Sequence, residues 1–183
     1  VLTTILGYVD DKTKDVYMAA DSQSSLNNRT AYGFKKIRRC GPDGNQFLLG
    51  IAGEAALNSR AVKAVSMIQP IGDLQSFADH VAVTITHQAM DDHITCDDRM
   101  NGYCLLGYNG NLWTISHMIA YRHEEDMAAI GSGSDYALGA LVSLRSALVN
   151  DVTYAMFDAV DIACRFDINS GGEIVIEKLE AVK

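Results

Sequence analysis

The chain has 183 residues, with 15 Lys and Arg against 23 Asp and Glu, a formal charge of −8, and 48% apolar residues. That size reads as one ordinary globular domain over residues 1–183, since such a chain buries roughly 70% of its unfolded surface and rarely splits. A pI near 4.9 argues against nucleic acid as a partner, no apolar stretch approaches the ~20 residues of a membrane helix, and the first residues lack the charged-then-apolar order of a secretory signal.

Thr4 to Val9 is β-rich and ends in the polar turn Asp10-Asp11-Lys12-Thr13-Lys14 before Val16 to Ala20, which together predict a hairpin. A polar stretch from Asp21 to Thr30 follows, then a strand from Phe34 to Cys40 and a turn at Gly41-Pro42-Asp43-Gly44-Asn45. Gln46 to Ala52 is apolar enough for a buried strand. From Glu54 to Gln69 the residues Ala56, Leu57, Val62, Val65 and Ile68 share one helical face, and Pro70-Ile71-Gly72 ends the run. A second helix starts after Asp73 and runs to about residue 92. Strands Tyr103 to Tyr108 and Leu112 to Ile115 flank Asn109-Gly110-Asn111, a strong hairpin signal. Met127 to Ile130 reads as a strand. Gly131-Ser132-Gly133-Ser134 leads into helices over about Asp135 to Val149 and Thr153 to Arg165, and Glu173 to Lys178 alternates as a strand.

The order is strands, two helices, strands, two helices, strand. Segregated runs of this kind imply an α+β fold with antiparallel sheets and helices layered outside them. A four-layer αββα sandwich, two antiparallel sheets flanked by helix pairs, accommodates it. Cys40, Cys96, Cys104 and Cys164 have no C-x-x-C spacing and read as free thiols, which fits a reducing compartment and a cytoplasmic location.

Taken one at a time, the polar residues have plain structural readings. Thr3-Thr4 opens a strand, Asp21 is a turn residue, and Lys36, within the short basic run Lys35 to Arg39, is a surface cation. The GSGS run is a helix cap, and Asn169-Ser170-Gly171-Gly172 is a turn. His87, Asp91, His93 and Cys96 form a dense set of ligand types, but without a helix-borne histidine pair they read as a solvated helix end. The chemical reading of Thr3 is different: a hydroxyl on the first residue of a mature chain can attack a carbonyl while its own α-amine, of pKa about 7.7–8.0, takes the proton.

Taken together, TTILGYVDDKTKDVYMAADSQSS, GFKKIRR, LLGIAGEAA, AAIGSGSDYALGAL and AVDIACRFDINSGGEIVIEKL resemble the N-terminal-nucleophile (Ntn) hydrolases, specifically the proteasome β subunits and the heat-shock locus V (HslV-like) peptidase. The matches run in order from Thr3 to about Lys178. The resemblance implies the Ntn-hydrolase sandwich and a threonine-type endopeptidase. It assigns Thr3 as nucleophile, Asp21 and Lys36 as the acid and the lysine beside it, and Gly53 as oxyanion donor. It assigns Ser132 to the threonine amine, and Asp167 and Ser170 to orienting the nucleophile. The main-chain carbonyls of Cys164, Asp167 and Ser170 fall where relatives bind a structural monovalent or divalent cation; no other cofactor is required. The implied partners are further copies of the chain in stacked rings, an ATP-dependent AAA+ unfoldase and unfolded protein.

Val1 and Leu2 precede Thr3, whereas relatives expose the threonine. Removal of both residues is therefore expected of an active subunit. A catalytically silent ring subunit and an Ntn amidase acting on small molecules are the alternatives.

Overall fold

The computed structural model describes residues 3–26, 29–96, 99–148 and 150–182. Val1 and Leu2, on which the expected processing falls, lie outside these residues, as does Val149, the expected end of the third helix.

The elements in chain order are β1 (Ile5–Val9), β2 (Val16–Ala20), β3 (Ser24–Leu26), β4 (Arg29–Ala31), β5 (Ile37–Cys40), β6 (Phe47–Gly53), α1 (Ala55–Val65) and α2 (Leu74–Asp91). They continue with β7 (Thr95–Cys96), β8 (Arg99–Met100), β9 (Gly102–Tyr108), β10 (Asn111–Ser116), β11 (Ile119–Arg122), β12 (Met127–Ile130), α3 (Ser134–Ser143), α4 (Arg145–Leu148), α5 (Val152–Phe166) and β13 (Val175–Leu179). One sheet has the order β12-β1-β2-β13 and the other β11-β10-β9-β6-β5, with antiparallel neighbours throughout.

The alternation of β1 sorts the layers. Ile5 and Val9 enter the core between the sheets, while Leu6 and Tyr8 face the cluster built by α3 and α5. The sheets approach closely because their facing positions are small: a Cβ on Gly50 would stand 2.7 Å from Ile5 Cγ2. On the far side of the larger sheet, Phe47 meets Phe77 of α2 edge-on at 5.3 Å, and the buried Trp113 donates its indole N–H to Gln75 Oε1 at 3.1 Å. The layers are thus α1 and α2, the larger sheet, the smaller sheet, and α3 with α5, the expected sandwich. Among the described residues no helix is long and apolar enough to cross a membrane.

Some boundaries differ from the sequence reading. The first helix stops at Val65 rather than Gln69 because the Ser66 hydroxyl takes the Lys63 carbonyl at 2.9 Å, although Ile68 still packs on the core. The third helix breaks after Ser143, whose hydroxyl bonds back to the Gly139 carbonyl at 3.1 Å and competes with the helical ladder. The polar stretch after Asp21 holds the ribbon β3–β4, and β7, β8 and β11 are additional short strands.

Candidate active site

Register alone brings the start of the chain to two loops. Ile5 pairs with Ala20 on one side and with Ile130 on the other. The residues just before β1 therefore face those just after β2 and β12, namely Asp21 and the Gly131–Gly133 turn. The Gly133 N–H completes this by donating to the Thr3 carbonyl at 3.2 Å.

Asp21 gathers the first cluster. Its Oδ1 accepts the Thr3 hydroxyl at 3.1 Å, the Thr4 N–H at 2.8 Å and Lys36 Nζ at 2.7 Å. Its Oδ2 accepts the N–H groups of Gln23 at 3.2 Å and Gly171 at 3.0 Å. Lys36 reaches it from the residue before β5, anchored where its carbonyl accepts the Ile51 N–H of β6 at 2.9 Å. Burial pushes the Lys36 ammonium below the ordinary lysine range, and Asp21 opposes that shift without cancelling it. The hydroxyl of Thr3 and the ammonium of Lys36 thus share one carboxylate oxygen.

Asp167, the residue after α5, gathers the second cluster. Its Oδ2 accepts the hydroxyls of Ser132 at 2.6 Å and Ser170 at 2.7 Å, and its Oδ1 accepts the backbone and side-chain N–H groups of Asn169 at 3.1 and 3.2 Å. Burial would raise this carboxyl, but the hydrogen bonds from Ser132, Ser170 and Asn169 outweigh it and hold Asp167 below the usual carboxylate range. Ser132 Oγ in turn accepts the Thr3 N–H at 3.2 Å, so the second cluster holds the nitrogen of the residue whose hydroxyl the first cluster holds.

Six of the seven residues expected at the site therefore join one hydrogen-bonded constellation: Thr3, Asp21, Lys36, Ser132, Asp167 and Ser170. Gly53 ends β6 opposite Gly102, and among the described residues no hydrogen bond ties it to that constellation. Its lack of a side chain has a packing cause as well, since a Cβ there would stand 2.7 Å from the Asn101 carbonyl oxygen.

Cys164 packs partly buried against the α3–α5 cluster, with burial pushing its thiol up to about 11. The Asp167 carbonyl accepts the Ser170 N–H at 3.0 Å, so a cation held by the main chain of Cys164, Asp167 and Ser170 would share that carbonyl with the turn. His87, Asp91 and His93 are exposed at the end of α2, the side chain of Cys96 lies outside the described residues, and no cluster of three His, Cys, Asp or Glu suited to a metal ion occurs among those described.

Nothing in the sequence marks Thr4, whose Oγ1 lies 2.7 Å from Ser170 Oγ, or the close approach that makes the GSGS turn glycine-rich. A Cβ on Gly131 would collide with the Thr3 carbonyl, and one on Gly133 with Thr4 Oγ1.

No protein-family model matches the chain. Among solved structures it is similar to BPH from Thiobacillus denitrificans, at 22% identity over 97% of this chain and 98% of that one, with a TM-score of 0.78. It is similar to eukaryotic HslV from Trypanosoma brucei at 21% identity over 97% and 99% of the two chains, TM-score 0.68. The Anbu subunit solved as a helical assembly from Pseudomonas aeruginosa matches at 14% identity over 97% and 81%, TM-score 0.73. The resemblance in the sequence and the likeness in structure agree: the chain has the fold of the proteasome-like Ntn hydrolases.

Proposed function

We propose that the chain is a threonine peptidase subunit that cleaves amide bonds through an acyl-enzyme on Thr3. It works as one copy in a stacked ring, receiving unfolded protein from an ATP-driven unfoldase. The observation that carries the reading is the position of Thr3 between two prebuilt clusters, with Oγ1 on Asp21–Lys36 and N on Ser132–Asp167. The fold shared with HslV and the helical assembly of the Pseudomonas Anbu support its multi-subunit part.

Release of Val1 and Leu2 gives Thr3 a free α-amine, a competent base near neutrality at its ordinary pKa of about 7.7–8.0. The amine takes the Oγ1 hydrogen while Oγ1 bonds to the substrate carbonyl carbon and the carbonyl electron pair moves onto oxygen. Lys36, beside the same Asp21 oxygen, offsets the negative charge developing on Oγ1, and the Gly53 N–H is assigned to the oxyanion. Collapse of the tetrahedral intermediate breaks the C–N bond, and the Thr3 ammonium gives its proton to the departing amine. Water then adds to the ester carbon as the amine takes one of its protons, and Thr3 Oγ1 leaves with that proton.

Leu2 stands before Thr3 in the sequence. While that peptide bond is intact the nitrogen is an amide that only donates, and the chain is then a silent ring subunit. Hydrolysis of fluorogenic peptides by wild type and Thr3→Ala, with the mass of each amino terminus recorded, separates the readings. Thr3-first protein that cleaves peptides, and loses cleavage on Thr3→Ala, fits the peptidase. Peptide-inert assemblies that retain Val1 fit the silent subunit, and a monomer or dimer cleaving only small amides fits an amidase. An epoxomicin complex of the Thiobacillus BPH has been solved, so epoxomicin is a second probe, expected to block the activity.

A further inference from the structure

We propose that Thr4 is a positioning residue of this site, setting the direction of the hydrogen bonds that reach the Thr3 nitrogen; the inference rests on the peptidase reading. Thr4 is fully buried, and its Oγ1 lies 2.7 Å from Ser170 Oγ, with either oxygen able to donate. A hydroxyl has one hydrogen and two lone pairs, which settles the direction. Ser170 uses its hydrogen on Asp167 Oδ2 at 2.7 Å, so the Thr4 hydroxyl is the donor to Ser170. Ser132 faces the same choice between Asp167 Oδ2 at 2.6 Å and the Thr3 carbonyl at 3.4 Å, and the short contact to the carboxylate wins.

The result is two arms converging on one carboxylate oxygen. One runs from the Thr3 N–H to Ser132 to Asp167, the other from the Thr4 hydroxyl to Ser170 to Asp167. Because both serine hydrogens point at Asp167, Ser132 presents a lone pair to Thr3 and accepts from its nitrogen. Thr4 keeps Ser170 committed to that direction. The backbone N–H of Thr4 is held separately on Asp21 Oδ1 at 2.8 Å, so this one residue touches both clusters. The packing guards the arrangement: a Cβ on Gly133 would strike Thr4 Oγ1 and lie 3.1 Å from Ser170 Oγ and 3.2 Å from Asp167 Oδ2.

Loss of the Thr4 hydroxyl removes the donor to Ser170 Oγ, and a Ser170 hydroxyl that is no longer polarised by it donates more weakly to Asp167. With that bond weakened, Asp167 Oδ2 draws more strongly on the Ser132 hydrogen, Ser132 Oγ becomes a better acceptor, and a protonated Thr3 amine is favoured. Thr4→Val, nearly isosteric, is therefore expected to lower kcat roughly 10- to 100-fold with KM little changed and to move the acid limb of kcat/KM to higher pH. Thr4→Ser is expected to recover most of the loss and the wild-type limb.

The experiment uses assembled protein with Thr3 as its first residue, and records kcat, KM, the pH profile, the melting temperature, and the Thr3 amine titration by ¹⁵N NMR. A raised amine pKa in Thr4→Val, absent in Thr4→Ser, supports the proposal. An unmoved amine pKa and acid limb in a folded Thr4→Val protein overturns it. So does a loss of activity that only follows a loss of melting temperature in both variants. Wild type that cleaves no peptide sinks the peptidase reading alone, because the amine titration still decides whether Thr4 sets the direction of the network.

Discussion

Lys36 Nζ lies 2.7 Å from Asp21 Oδ1, and the two side chains are 4% and 0% exposed. A buried ion pair adds little stability relative to an apolar pair of the same shape, yet breaking it by removing one partner is costly. On the proposed peptidase reading, its place beside the Thr3 hydroxyl, which bonds to the same oxygen, serves chemistry more than folding.

Lys36→Ala is expected to destabilise the protein by about 3–5 kcal/mol, the usual cost of leaving a buried charge alone. Lys36→Met, which refills the volume, is expected to recover only part of that, because it too leaves the Asp21 charge unpaired. Denaturant unfolding of the three proteins checks both statements.

The same lysine sets an alkaline dependence. Its folded pKa lies below its unfolded value of 10.5, so at lower pH both states carry the proton and the burial penalty is fully present. As pH rises through the folded pKa toward 10.5 the unfolded chain holds more protons, and this group's contribution to stability rises. Unfolding free energies across this range should therefore rise more in wild type than in Lys36→Met.

Asp167 works in the opposite sense at acid pH. Its folded pKa is below the ordinary 3.8, so its contribution is present above that value and is lost as pH falls through the folded pKa. Asp167→Asn should flatten the acid limb of the stability curve. An unchanged limb would show that the two serine hydroxyls do not hold this carboxylate.

Two glycines in or beside α3 should respond oppositely to alanine. At Gly133, the N-cap of α3, the added Cβ meets Thr4 Oγ1, and a cost of about 1–3 kcal/mol with loss of activity is expected. At Gly139, inside α3, nothing lies within 4 Å, so Gly139→Ala should stabilise by up to ~1 kcal/mol and leave activity alone. Thermal melts and peptide hydrolysis test the pair.

Burial pushes the Cys40 and Cys104 thiols up to about 12 and Cys164 up to about 11. Near neutrality these three are almost wholly protonated and should resist alkylation in the native protein, becoming reactive only on unfolding. Peptide mapping after brief iodoacetamide treatment measures this.

The layers are legible in the sequence where local signals are clean: β-rich composition and a polar turn place β1 and β2, three- to four-residue spacing places α1, and alternation places β13. Most of the hydrogen-bonded constellation is legible through the resemblance, which assigns Thr3, Asp21, Lys36, Ser132, Asp167 and Ser170. Thr4 was not legible, because its partner is 166 residues away and a β-branched residue before a strand already has a sufficient local reason. Local sequence makes the GSGS run a helix cap, whereas Thr3 and Thr4 pass so close that no side chain fits at Gly131 or Gly133. The third helix breaks beside Ser143, whose hydroxyl bonds back to the Gly139 carbonyl, a local competition that periodicity does not register.

Whether Thr3 acts with its own amine is decided by sequencing the amino terminus of assembled, peptide-cleaving protein by mass spectrometry. Thr3 is expected as the first residue in every active fraction. Active fractions that still carry Val1-Leu2 ahead of Thr3 would overturn the peptidase mechanism.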